Sequence, residues 1–154
     1  MLKSITKDPL LKQLLHYVIR DEARHVTFGI NYLEDYVKTL SQDEINDRAN
    51  FAYEACVISR ERLINTKSEQ RFLKMTESEA RDFTLSTSSF AMFRNFLFSR
   101  VIPNLSRIGL LTDEVRPKFD ALGLLEYEQA PDDFECDWAE LKKPLESFDE
   151  VATK

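Results

Sequence analysis

Apolar side chains recur at intervals of three and four residues along most of this 154-residue chain, a spacing typical of helices with one buried face. Only three glycines and five prolines interrupt the pattern, too few for the frequent tight turns of a β-protein. The sequence therefore predicts an all-α fold. Its three long helices are expected at about residues 9–40, 41–65 and 76–102.

Signals for helix ends support these bounds. Asp8 and Pro9 form an N-cap followed by proline at the first helical position, and "SQDE" at 41–44 and "TESE" at 76–79 are capping boxes. Pro103 is expected to end the third helix because it has no amide hydrogen to donate. Shorter helical pieces are predicted in "KSEQRFLKM", in "NLSRIGLL", and in "TDEVRPKFDALGLL" between Thr112 as its cap and Gly123.

Charge divides the chain into two parts. Residues 126–154 have ten acidic and three basic side chains, whereas residues 1–125 have seventeen and eighteen. We expect a helical domain over 1–125 and an acidic C-terminal tail over 126–154 that packs on it. The acidic tail and the absence of a basic stripe argue against nucleic-acid binding. No apolar run reaches the length of a bilayer span and the first residues lack a secretory signal, which predicts a cytoplasmic protein without membrane contact.

Two further features concern packing. Cys56 and Cys136 have no partner motif, so they are expected to be free thiols that pack in the interior. The third helix has an aromatic run that is expected to form the main packing surface, comprising Phe83, Phe90, Phe93, Phe96 and Phe98.

One stripe of the first helix mixes apolar residues with a carboxylate and an imidazole. Steps of four and three select Leu11, Leu15, Val18, Glu22, His25, Gly29, Tyr32 and Tyr36. Six of these eight residues are apolar, aromatic or small, so the pattern places Glu22 and His25 on the buried side. Burying an unpaired carboxylate is costly, and a neutral imidazole compensates little of that cost.

A metal ion would neutralise the buried carboxylate, because Glu and His three residues apart project side by side toward one ion. Asp21 could orient the imidazole of His25, and Arg24 could pair with one of the acids. Gly29 leaves space beside the pair. His16 shares its face with charged residues and is expected to be exposed. The spacing alone leaves a second interpretation open, in which a core histidine is held by a nearby acid.

The longer string "DPLLKQLLHYVIRDEARHVTFGINYL" resembles the last ligand helix of the ferritin-like di-iron carboxylate superfamily, which includes ribonucleotide reductase small subunits, related ligand-binding oxidases and p-aminobenzoate N-oxygenases. The resemblance covers about residues 8–36, with a softer similarity in "FLFSRVIPNLSRIGLL". It implies a ferritin-like bundle or half-bundle. It also implies that Glu22 and His25 are ligands of iron, with manganese as the alternative metal, and that Asp21 supports a ligand histidine.

The sequence departs from the superfamily in its ligand count. A complete site takes a Glu from each of two helices and an ExxH pair from each of two others, whereas this sequence has one such pair. We therefore expect the C-terminal half of a di-iron oxidase or oxygenase, from a truncated gene product or a partial clone, that is inactive alone. The uncovered stripe of the first helix is expected to form a homodimer.

Three functions compete on this basis. The first is the lineage of an O₂-activating di-iron oxidoreductase. The second is a non-catalytic helical interaction or dimerisation module that binds no metal. The third is iron storage. It is the weaker alternative because the acidic tail and the late short helices differ from a compact ferritin subunit.

Overall fold

The computed structural model describes residues 6–64 and 66–130. Over these ranges the chain is helical and contains no strand, which confirms the predicted all-α class. None of the helices found there is both long enough and apolar enough to cross a membrane. The elements in chain order are α1 (Pro9–Val37), α2 (Gln42–Leu63), α3 (Lys67–Leu73), α4 (Glu77–Ser86), α5 (Ser88–Arg107), α6 (Arg116–Ala121) and a 3₁₀ helix (Leu125–Tyr127).

The predicted helix starts are confirmed at atomic detail. The carboxylate of Asp8 accepts a hydrogen bond from the amide of Leu11 at 2.8 Å. In both capping boxes the glutamate side chain accepts a hydrogen bond from the backbone amide of the cap residue. Glu44 accepts from Ser41 at 2.9 Å. Glu79 accepts from Thr76 at 2.8 Å. These backbone hydrogen bonds lower the pKa of both glutamates, because they stabilise the ionised carboxylate.

The prediction of one unbroken third helix is wrong. Thr87 is extended (φ −78°, ψ 143°) and separates α4 from α5. Its hydroxyl donates to the carbonyl of Thr84 at 2.8 Å and accepts from the amide of Phe90 at 3.2 Å. Hydroxyl side chains in the run "STSS" thus offer the backbone an alternative to a continuous helix.

The predicted stop at Pro103 is also wrong, because α5 continues through it to Arg107. Pro103 and Ile102 are both buried. The favourable free energy of burying these two side chains offsets the loss of the one backbone hydrogen bond that the proline cannot donate.

The start of α6 also differs from the prediction. The carbonyl of Thr112, and not its side chain, accepts from the amides of Val115 and Arg116 at 3.1 and 3.0 Å. Gly123 follows the helix as expected, with φ +64°. This left-handed conformation is accessible to glycine at little cost.

The core lies among the last turns of α1, the middle of α2, the second half of α5 and the segments that follow α5. Its fully buried large side chains are Phe98, Ile102, Val115, Phe119 and Leu124. The aromatic prediction holds for Phe98 and Phe90 and is wrong for the three other phenylalanines of that run, which are exposed.

Cys56 is also buried in this core, as predicted, and burial raises the pKa of its thiol to about 11. Cys136 lies outside the described residues.

Ion pairs connect the segment after α6 to the helices α5 and α6. Glu126 pairs with Arg94 at 2.8 Å, and Glu128 pairs with Arg116 at 2.7 Å. Residues 126–130 therefore contact the helices. The rest of the predicted acidic tail, residues 131–154, lies outside the described residues.

Candidate functional site

Helix α1 faces the body with a different side from the one predicted. The residues on its covered side are all buried or half-buried and follow steps of four and three: His16, Arg20, Ala23, Thr27, Ile30, Glu34 and Val37. His16 has an exposed fraction of only 3% and packs edge-to-face against Tyr17. The prediction that His16 is exposed is therefore wrong.

Contacts near the C-terminal end of α1 determine this rotation. Ile30 and Val37 belong to the core, and the carboxylate of Glu34 accepts from the guanidinium of Arg107 at 3.1 Å. Neighbouring residues of an α-helix differ by about 100° around the axis. Once Ile30 and Val37 face inward, the stripe that contains Glu22 and His25 is turned away from the body.

The predicted burial of the Glu22 and His25 pair is consequently wrong for the single chain. Their side chains are 69% and 78% exposed. The rest of the predicted stripe stays together around them, and four of its large apolar members are exposed: Leu11, Val18, Tyr32 and Tyr36. This agrees with the expectation that the stripe is left uncovered.

The two candidate ligands approach each other on one side of the helix. Oε2 of Glu22 lies 3.6 Å from Nδ1 of His25, which is longer than a hydrogen bond. The two donor atoms therefore converge on one region of solvent. Gly29, one turn further on, has open space where a Cβ would be, as predicted.

Asp21 has a different partner from the one predicted. Its Oδ1 lies 3.6 Å from Nη1 of Arg24 and 3.7 Å from Nε of Arg20. The pairing of Arg24 with an acid is thus confirmed, whereas the contact of His25 is with Glu22 and not with Asp21. All four side chains that the sequence selects, Asp21, Glu22, Arg24 and His25, are exposed.

Apolar exposure on α1 extends well beyond this stripe. Of its fourteen large apolar or aromatic side chains, eleven are exposed, and a second row formed by Leu10, Leu14, Tyr17 and Phe28 lies beside the first. A helix that is apolar on several sides is typical of an element with neighbours on several sides. The surface of α1 is therefore suited to contact with further helices.

The described part of the chain does not contain a complete metal site. Within residues 6–64 and 66–130, no three His, Cys, Asp or Glu side chains are grouped so as to hold an ion. Glu22 and His25 are two donors, whereas a carboxylate-bridged di-iron centre uses four carboxylates and two imidazoles. The pair fits such a centre only as one part of its ligand set.

One polar feature escaped the sequence analysis. Glu69 on α3 lines a pocket formed with α4 and α5, and its Oε2 is buried. In the sequence it is a single acid in a short charged segment, which has the same pattern as a solvated charge.

Comparison of the chain with protein-family models, with curated proteins and with solved structures gave no match. The resemblance to the ferritin-like superfamily therefore stays a prediction from the sequence, based on the string in α1 and the softer similarity in α5.

Proposed function

We propose that α1 supplies Glu22 and His25 as one ligand pair of a carboxylate-bridged di-iron centre of the ferritin-like oxidoreductase lineage. A second copy of the chain supplies the facing ligands. The observation that supports this proposal is the position of the pair, at the middle of a stripe that is exposed and otherwise apolar. Solvated charges are usually surrounded by other polar residues, whereas ligands are set in an apolar surface that becomes buried.

The ligand count favours a two-fold pair of chains. If the two α1 stripes pack against each other around a two-fold axis, each Glu22 and His25 lies near its symmetry mate. Asp21 adds a further carboxylate from each chain. The pair of chains then offers four carboxylates and two imidazoles, the number that a di-iron centre requires.

When bound, two carboxylate-bridged irons supply the ability to reduce oxygen and to oxidise a substrate. The residues of this chain supply the binding and the surroundings. His25 would hold the metal through an imidazole nitrogen, and the carboxylate of Glu22 would neutralise part of its positive charge. In the proposed pair of chains, Val18 and Tyr32 would exclude water on either side of Glu22 and His25. A single chain is expected to be inactive.

Metal content and mass of the reconstituted full chain test this proposal. After loading with ferrous iron or Mn²⁺ and removal of unbound metal, we expect about one metal per chain and a dimer in sedimentation. The double variant Glu22→Gln, His25→Gln should lose at least about 90% of that metal. Glu54→Gln, which removes an exposed carboxylate from α2, should bind as the original chain does. Less than about a tenth of an equivalent in the original chain would contradict the proposal.

The second candidate function is a helical dimerisation module that binds no metal. The eleven exposed apolar side chains of α1 support it, because contact between two copies would bury them whether or not metal is present. A dimer that persists with chelator, in both the original chain and the double variant, together with absence of bound metal, would favour this alternative.

A further inference from the structure

A pocket of about 310 Å³ lies where α3, α4 and α5 meet beside the end of α2. Its walls combine three phenylalanine rings, Phe83, Phe90 and Phe93, with the carboxylate of Glu69 and the hydroxyls of Thr84 and Thr87. This volume is at the lower end of the range for sites that hold small organic molecules, about 300–1,000 Å³.

The carboxylate of Glu69 lacks a visible counter-charge in this pocket. Its Oε2 is buried and has no hydrogen-bond partner within the described ranges. The residues that line the pocket include no lysine, arginine or histidine. A buried polar oxygen is costly unless a donor reaches it, so the unpartnered Oε2 of Glu69 needs an explanation.

The two threonine hydroxyls in the pocket wall act as acceptors toward a ligand, and the hydroxyl of Ser89 also lines the pocket. Thr84 donates its hydroxyl hydrogen to the carbonyl of Ala80 at 2.9 Å, and Thr87 donates to the carbonyl of Thr84 at 2.8 Å. With these hydrogens committed to the backbone, the two oxygens can offer only lone pairs to a ligand. Oxygen acceptors and aromatic faces both attract positive charge.

We propose that this pocket binds a small organic ammonium ion, with its charged nitrogen at Glu69 and its apolar part against Phe83, Phe90 and Phe93. A primary ammonium group has three N–H donors for the carboxylate and threonine oxygens. A divalent metal ion fits less well, because Mg²⁺ and Ca²⁺ take six or more oxygen ligands and the pocket has one carboxylate. The proposal uses no residue of α1 and is independent of the di-iron proposal.

Titration calorimetry of the full chain with 2-phenylethylamine tests the site, and 2-phenylethanol serves as the uncharged ligand of similar size. We expect saturable binding of the amine, at least about tenfold tighter than binding of the alcohol. Glu69→Gln, which keeps the shape and removes the charge, should weaken amine binding at least about tenfold. Glu77→Gln, which removes an exposed carboxylate at the start of the neighbouring α4, should leave binding unchanged.

A second variant separates loss of binding from loss of folding. Phe93 is 41% exposed, so Phe93→Leu should keep the fold and weaken amine binding severalfold by removing a ring face. Circular dichroism melts of each variant establish that it is folded. Equal affinity for amine and alcohol, undiminished binding in Glu69→Gln, or no saturable binding of the amine up to about 10 mM would overturn the proposal.

Discussion

Gly29 is a residue at which stability and assembly should respond in opposite directions. It lies inside α1 and has open space where a Cβ would be. Gly29→Ala should stabilise the single chain by about 0.5–1 kcal/mol, because alanine loses less backbone entropy in a helix. The added methyl group stands in the proposed dimer seam, so association should weaken. Urea unfolding at low protein concentration measures the first effect, and sedimentation measures the second.

A matched control places the same change outside the proposed seam. Ala55 is an exposed residue of α2, and Ala55→Gly should destabilise the single chain by a similar amount without altering association. If Gly29→Ala stabilised the chain and left association unchanged, the second copy would not pack closely at this residue.

At the same scale, the roles of His16 and His25 are exchanged relative to the sequence prediction. His16 is buried and packs against Tyr17, whereas His25 is exposed beside Glu22. Polarity alone favoured the opposite assignment, because His16 shares its face with Lys12 and Arg20. In the structure Arg20 and Glu34 also lie on the covered side, where a long side chain can reach a partner, as the contact between Glu34 and Arg107 shows.

At the scale of the helices, Thr87 lies at the junction between α4 and α5 and caps the start of α5. Thr87→Ala should reduce the free energy of unfolding by about 1 kcal/mol, because the amide of Phe90 loses its side-chain acceptor. Urea unfolding monitored by circular dichroism measures the change. Ser88→Ala alters an adjacent exposed hydroxyl and should stay within about 0.5 kcal/mol of the original chain. Equal effects of the two substitutions would mean that Thr87 does not cap α5.

In the whole molecule, the contact of Glu128 with Arg116 and Ser106 joins the end of the described chain to α5 and α6. The hydrogen bond from Arg116 lowers the pKa of Glu128, with a smaller contribution from Ser106. Because this pKa is lower in the folded than in the unfolded state, the ionised carboxylate stabilises the fold at pH values above the ordinary value of 4.5. The stabilisation is lost as the pH falls from there through the lowered folded pKa.

We therefore expect Glu128→Gln to be less stable than the original chain at pH 7 and the difference to shrink as the pH falls below about 4.5. Thermal unfolding from pH 7 to pH 3 measures this trend. Glu54→Gln, an exposed substitution on α2, should show a much smaller difference across the same range. A difference between Glu128→Gln and the original chain that stays constant with pH would contradict the role assigned to this contact.

Much of the local structure was determined by the sequence alone. The helical class, the start of α1 and the two capping boxes follow from interactions within a few residues, so a local pattern suffices to predict them. The break at Thr87 had a local signal too, the run of hydroxyl residues. The continuation of α5 through Pro103 had none, because it depends on burial of Ile102 and Pro103 by distant segments.

Only the tertiary structure decided which side of α1 is covered. Apolar residues on several sides of this helix allow more than one rotation, and a local pattern cannot distinguish them. Ile30 and Val37 enter a core built from residues far along the chain, and Glu34 meets a partner 73 positions away. The sequence therefore identified Glu22 and His25 as neighbours on one turn, and contacts of long sequence separation determined that this turn faces outward.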